Sequence, residues 1–88
     1  MDKQQIEAKL IEYFEQEYPQ SGIALNASTD LLSNYITDSL RVISTIIFLE
    51  SSFDLDIHEG DLSVEILANI TNLANFVLSK LESDRKVS

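Results

Sequence analysis

Cysteine is absent from the 88 residues. Disulfide frameworks, thiolate metal sites and cysteine nucleophiles are therefore excluded together, and any thiol chemistry must come from a group attached to the chain. Positive charge is scarce: six Lys and Arg stand against 15 Asp and Glu, a formal net charge of −9, with a pI near 4.2. Such a surface is repelled by nucleic-acid phosphates and attracted to partners with basic patches. No apolar run is long enough to span a membrane, and the first residues lack a basic-then-apolar leader, so a cytoplasmic protein is expected. His58 is the sole histidine. No second base, nucleophile or set of metal ligands stands at useful spacing from it, so neither an enzyme nor a metal site is expected. Pro19 and Gly22 fall close together in one connection.

Hydrophobic residues make up 44% of the chain, enough to drive folding, and the length suits one small core. Residues 2–18 read as a helix. Asp2 and Gln5 form a capping-box pair, and Ile6, Leu10, Ile11, Tyr13 and Phe14 recur at helical spacing. Pro19, Ser21 and Gly22 end it. A long connection follows to residue 37, carrying Ile23, Leu25, Leu31, Leu32, Tyr35 and Ile36, which pin it across the helices. Residues 39–52 predict a second helix, with Leu40, Ile43, Ile46 or Ile47, and then Phe53 toward the core. Val42, Ile46, Ile47, Phe48 and Leu49 leave it apolar nearly all round, so it has two faces to cover. Residues 53–58 form a linker. Residues 59–66 predict a short third helix around Leu62, Val64 and Ile66, and Asn69 caps a fourth whose stripe is Ile70, Leu73, Phe76, Val77 and Leu81. No strand pattern occurs. The expectation is an all-α four-helix bundle, one domain over residues 1–82 with a frayed polar tail at 83–88.

Thr37-Asp38-Ser39-Leu40 is a small polar cluster opening an apolar helix. Each of the first three residues suits a helix cap, and Ser39 falls at the positive end of the helix dipole, where an attached phosphate is favoured. Asp-Ser-Leu at that place resembles the acyl and peptidyl carrier protein family. The approach Asp30-Leu-Leu-Ser-Asn-Tyr-Ile-Thr-Asp-Ser-Leu40, the Phe-Leu-Glu-x-x-Phe segment at 48–53, Asp54-Leu-Asp-Ile57 and Ile-x-x-Leu-x-x-Phe-Val at 70–77 extend the resemblance over most of the chain. It implies a four-helix carrier fold with a long first loop and a short third helix. It also implies 4′-phosphopantetheine on Ser39, attached by a phosphopantetheinyl transferase, with an acyl or aminoacyl thioester on the arm. A loading ligase and downstream synthase or transferase enzymes would be partners of a monomeric carrier in fatty-acid or other lipid metabolism. Asp38 would help hold the transferase's metal and Leu40 would contact the transferase. Ile43, Ile47, Leu62 and Ile66 would line an acyl pocket. The family commonly has a glycine near residue 34 or 35. This chain has none there, so Asn34 is the expected left-handed residue.

The chain departs from the resemblance in its charges. Housekeeping fatty-acid carriers resemble Asp-Ser-Leu-Asp, with a Glu three positions beyond that Asp; here Arg41 and Ser44 stand in those places. Negative charge is concentrated instead from Glu50 to Glu65, at Asp54, Asp56, Glu59 and Asp61. Arg41, Val42, Ile47, Glu50, Asp54, Asp56, Glu59 and Asp61 are the expected partner-facing residues, in a specialised lipid or secondary-metabolite pathway. An EF-hand over 54–65 fails at its sixth position, where Glu59 replaces the required glycine. The rival function is an unmodified helical interaction domain using the apolar face of residues 42–49.

Overall fold

The computed structural model describes residues 2–19 and 25–87. Ser21, Gly22 and Ile23, assigned above to the helix stop and the long connection, lie outside the described residues. Asp2 opens α1 (Lys3–Glu17) with the expected capping box. Its carboxylate accepts from the Gln5 N–H at 2.9 Å, while the Gln5 side chain accepts from the Asp2 N–H at 3.1 Å. Ile6, Leu10 and Phe14, four residues apart, are fully buried along one face. Tyr18 closes the helix by donating its N–H to the Phe14 carbonyl at 3.0 Å.

The long connection contains a helix that periodicity did not show, α2 (Leu31–Asn34), one turn capped by Asp30. The Ser33 hydroxyl and N–H, donating to that carboxylate, hold it below its ordinary value. Leu31, Tyr35 and Ile36 around this turn are buried, as the pinning role required. Two ties fix the segment from outside: the Leu31 N–H donates to the Ala68 carbonyl at 2.9 Å, and the Thr71 N–H to the Ala27 carbonyl at 3.1 Å. Asn34 sits inside α2 rather than in a left-handed conformation. The positive φ falls on Asp54 (56°), which ends α3 (Ser39–Phe53).

α3 buries Thr45, Leu49 and Phe53. This corrects the expected core stripe, because Leu40 and Ile43 lie on the surface. Thr45 is tolerated in the core because its hydroxyl donates to the Arg41 carbonyl one turn back, at 2.8 Å. Beyond Asp54 the chain alternates, with Leu55 and Ile57 buried and Asp56 and His58 exposed. The expected third helix is split. Residues 59–61 make a single 3₁₀ turn. Ser63 then accepts from the Ile66 N–H and starts α4 (Val64–Leu67). A capping serine within an apolar run starts a new helix instead of continuing the old one. Asn69 caps α5 (Ile70–Val87) as expected, accepting from the Asn72 N–H at 2.8 Å. The helix runs on to Val87, into the polar segment assigned above to a tail.

Among the described residues there are five α-helices and no strand. α1, α3 and α5 are the long members; α2 and α4 are single turns between them. α1 packs along α5, and α4 packs against both α5 and α2. One core joins Ile6, Leu10 and Phe14 of α1 to Leu31, Tyr35, Leu49, Phe53, Ile70, Leu73 and Val77. The radius of gyration is 12.5 Å, close to the ~12 Å of a compact chain this size.

Candidate functional site

Asp38 is the N-cap of α3. Its carboxylate accepts from the Arg41 N–H at 2.9 Å and its carbonyl from the Val42 N–H at 3.2 Å. Ser39 is the first helical residue and is exposed. The N–H groups of Ser39 and Leu40 belong to the first turn, where the helix supplies no acceptor and its dipole is positive. An anion attached to the Ser39 oxygen would therefore meet a favourable field with room around it. Leu40 follows at 71% exposure, then Ile43 at 46% and Ile47 at 57%. Spaced by three and four, they form one apolar ridge running down α3 from Ser39, on the side away from Thr45 and Leu49. Val42 and Ile46 lie between ridge and core, half-buried.

The expected partner-facing residues divide. Asp54, Asp56 and Asp61 are exposed; the Glu59 side chain lies outside the described set. Glu50 is half-buried and has an internal role, its carboxylate accepting from the Ile57 N–H at 3.2 Å and so holding the 54–58 segment against α3. Asp61 accepts from the His58 N–H at 3.1 Å and pairs with Lys80 at 3.6 Å. The His58 backbone hydrogen bond first, and then the Lys80 charge, hold its carboxyl below the ordinary value. Arg41 is also engaged from within. Its guanidinium donates to the Tyr35 carbonyl at 2.9 Å and lies over the Tyr18 ring, 4.2 Å from the centroid. Sequence alone could not show this, because Tyr18 and Tyr35 reach Arg41 only after α1, α2 and α3 are assembled.

The four residues expected to line an acyl pocket are not gathered in one described groove. Ile47 borders a groove of about 330 Å³ between α1 and α3, with Tyr13, Glu17, Ser44 and Phe48. Ile66 borders another of about 360 Å³, with Glu65, Asn72, Asn75, Phe76 and Ser79. Leu62 and Ile66 pack against the core, and Ile43 belongs to the ridge. Val64, one of the apolar residues around which the short third helix was expected, is 71% exposed: α4 is one turn long and covers the core through Leu67.

Among the described residues, no group of three or more His, Asp or Glu converges as a metal site requires, and no helix is long and apolar enough to cross a membrane. Comparison with family models, curated proteins and solved structures returns no match.

Proposed function

We propose that the chain is a stand-alone acyl carrier, holding an acyl or aminoacyl group as a thioester on a 4′-phosphopantetheine arm attached to Ser39. The observation that carries this reading is the setting of Ser39: an exposed hydroxyl on the first residue of α3, capped by Asp38, with a bare apolar ridge leading away from it. The arm supplies the thiol that a cysteine-free chain lacks. The chain's own residues do the rest. Asp38 fixes the helix start, the free N–H groups of the first turn offset phosphate charge, and Ser39 provides the anchoring oxygen. Leu40, Ile43 and Ile47 offer a contact surface to modifying, loading and consuming enzymes, while Asp54, Asp56 and Asp61 draw in basic ones.

The test is intact mass after incubation with coenzyme A, Mg²⁺ and a broad-specificity phosphopantetheinyl transferase, with Ser39→Ala beside the wild type. One added phosphopantetheine on the wild type and none on the variant is the expected result. No addition with several transferases, on a protein shown to be folded, removes the carrier reading. The exposed ridge favours a second reading, an interaction domain that docks a partner through Leu40, Ile43 and Ile47 and bears no prosthetic group. The same measurement separates the two.

A further inference from the structure

Arg41 is two residues beyond Ser39, and residues two apart on a helix do not face each other. Its side chain does not extend into solvent near the hydroxyl. It turns back to the junction of three elements, donating to the Tyr35 carbonyl just past α2 and covering the ring of Tyr18 at the end of α1. Tyr35 is itself immobilised: it is 1% exposed and its ring meets that of Phe14 edge-on, with centroids 5.9 Å apart. Within three residues, the start of α3 is therefore held by two unlike bonds from the same residue. The Arg41 N–H reaches Asp38, and the Arg41 guanidinium reaches Tyr35 and Tyr18. A planar guanidinium can stack and donate at once, which an ammonium cannot do equally well.

We propose that Arg41 is the positioning residue of Ser39: clamped between the Tyr35 carbonyl and the Tyr18 ring, it holds residues 36–40 in the one arrangement that presents the serine oxygen to the modifying enzyme. This rests on the carrier reading. It replaces the partner-facing role first given to Arg41 with an internal one. Loosening the clamp lowers the fraction of molecules in the competent arrangement, and apparent affinity falls by that fraction while the rate in the bound state is kept.

The experiment compares wild type with Arg41→Ala, Tyr18→Leu and the double variant, using coenzyme A, Mg²⁺ and a phosphopantetheinyl transferase, and reads KM and kcat for the protein substrate separately. Circular dichroism confirms folding in each case. Hydrogen exchange is measured in parallel on the amides of Ile36–Leu40 and, as an internal reference, of Leu73–Val77. Arg41→Ala is expected to raise KM about tenfold with kcat unchanged. Tyr18→Leu is expected to shift it in the same direction, and the double variant to be no worse than Arg41→Ala, because both changes break one contact. Amides of 36–40 exchange faster in all three variants, and those of 73–77 do not. A normal KM in Arg41→Ala, or effects of the two single changes that multiply, overturns the proposal; multiplying effects mean that Tyr18 acts apart from Arg41, through its ring contacts with Tyr13 and Phe14. If the wild type itself accepts no phosphopantetheine, the carrier reading fails, and exchange at 36–40 still decides the clamp: unchanged rates in Arg41→Ala overturn it.

Discussion

The ring of Tyr13 lies flat on that of Phe48, with centroids 4.0 Å apart and planes inclined by 15°. This stack joins α1 to α3 on the flank of the core, where Tyr13 also meets Phe14 edge-on at 5.0 Å. Removing the Phe48 ring opens that flank. Because Phe48 is only partly buried, Phe48→Ala is expected to cost about 2 kcal/mol, below the 3–5 kcal/mol of a fully buried ring, which lowers the melting temperature by roughly 10 °C.

The same stack sets a pH response. Burial, followed by the neighbouring Tyr18 and Glu17, pushes the Tyr13 phenol above its ordinary value of 10.0. A group whose pKa is raised in the folded state adds stability that is fully present below the unfolded value and is lost as pH rises toward the folded one. Denaturant midpoints are therefore expected to hold to about pH 10 and to fall above it. Tyr13→Phe flattens that alkaline limb, and an absorbance titration at alkaline pH shows one phenol fewer among the late-ionising groups. An unchanged limb in Tyr13→Phe shows that another group governs the fall.

Asp54 ends α3 at φ 56° and ψ 51°. A left-handed residue with a Cβ is strained, and glycine relieves the strain. Asp54→Gly is expected to gain about 0.5 kcal/mol and Asp54→Val to lose more than 1 kcal/mol, read as opposite shifts in melting temperature. Shifts of the same sign show that the Asp54 side chain contributes something its exposure does not suggest.

The strong helices were legible wherever a cap and a stripe agreed. Asp2 with Gln5, Asp38 ahead of Ser39 and Asn69 ahead of Ile70 all start helices where the sequence places them, because a cap is a local interaction within four residues. The short elements were hidden. α2 is one turn, too brief for any periodicity, and is tied down through Leu31 and Ala68, which are far apart in sequence. On α3 the sequence is apolar on two sides, and the spacing favours Leu40 with Ile43 for the core; the core instead takes the side of Thr45 and Leu49, where the threonine hydroxyl is satisfied at the Arg41 carbonyl. The resemblance, which implies a glycine near residue 34 or 35, puts the left-handed residue at Asn34, but the chain has it at Asp54, where α3 stops and Leu55 and Ile57 turn inward. Arg41 looked like a surface charge because its two tyrosine partners come from elements that meet it only in the assembled fold.

Asp38 caps α3, and the proposed function gives it a second, separable use. As a cap, its carboxylate accepts from the Arg41 N–H, and Asn performs that task about as well, whereas Ala costs about 1 kcal/mol. Under the proposed function it would also help hold the transferase's metal during modification of Ser39, a role that needs its charge. Asp38→Asn is therefore expected to melt within about 2 °C of wild type yet to be modified more slowly, with Asp38→Ala both less stable and slower. If Asp38→Asn is modified at the wild-type rate, the residue is a cap alone.

Ile47 and Leu49 are two positions apart on α3 and have opposite fates, 57% exposed and fully buried respectively. Leu49→Ala is expected to cost about 3 kcal/mol, because its neighbours in the core cannot collapse into the space. Ile47→Ser and Leu40→Ser are each expected to stay within about 0.5 kcal/mol of wild type, since neither side chain covers the core. The comparison tests the ridge as a surface kept apolar for contact rather than for folding. Under the proposed function, Ile47→Ser and Leu40→Ser should therefore slow modification, or transfer by a downstream enzyme, without lowering the denaturation midpoint, while Leu49→Ala lowers the midpoint. If Ile47→Ser destabilises the chain as Leu49→Ala does, the ridge belongs to the core and loses its claim as a contact surface. If it leaves both stability and every transfer rate untouched, partners approach Ser39 from another side, and the acidic residues at 54, 56 and 61 become the surface to change next.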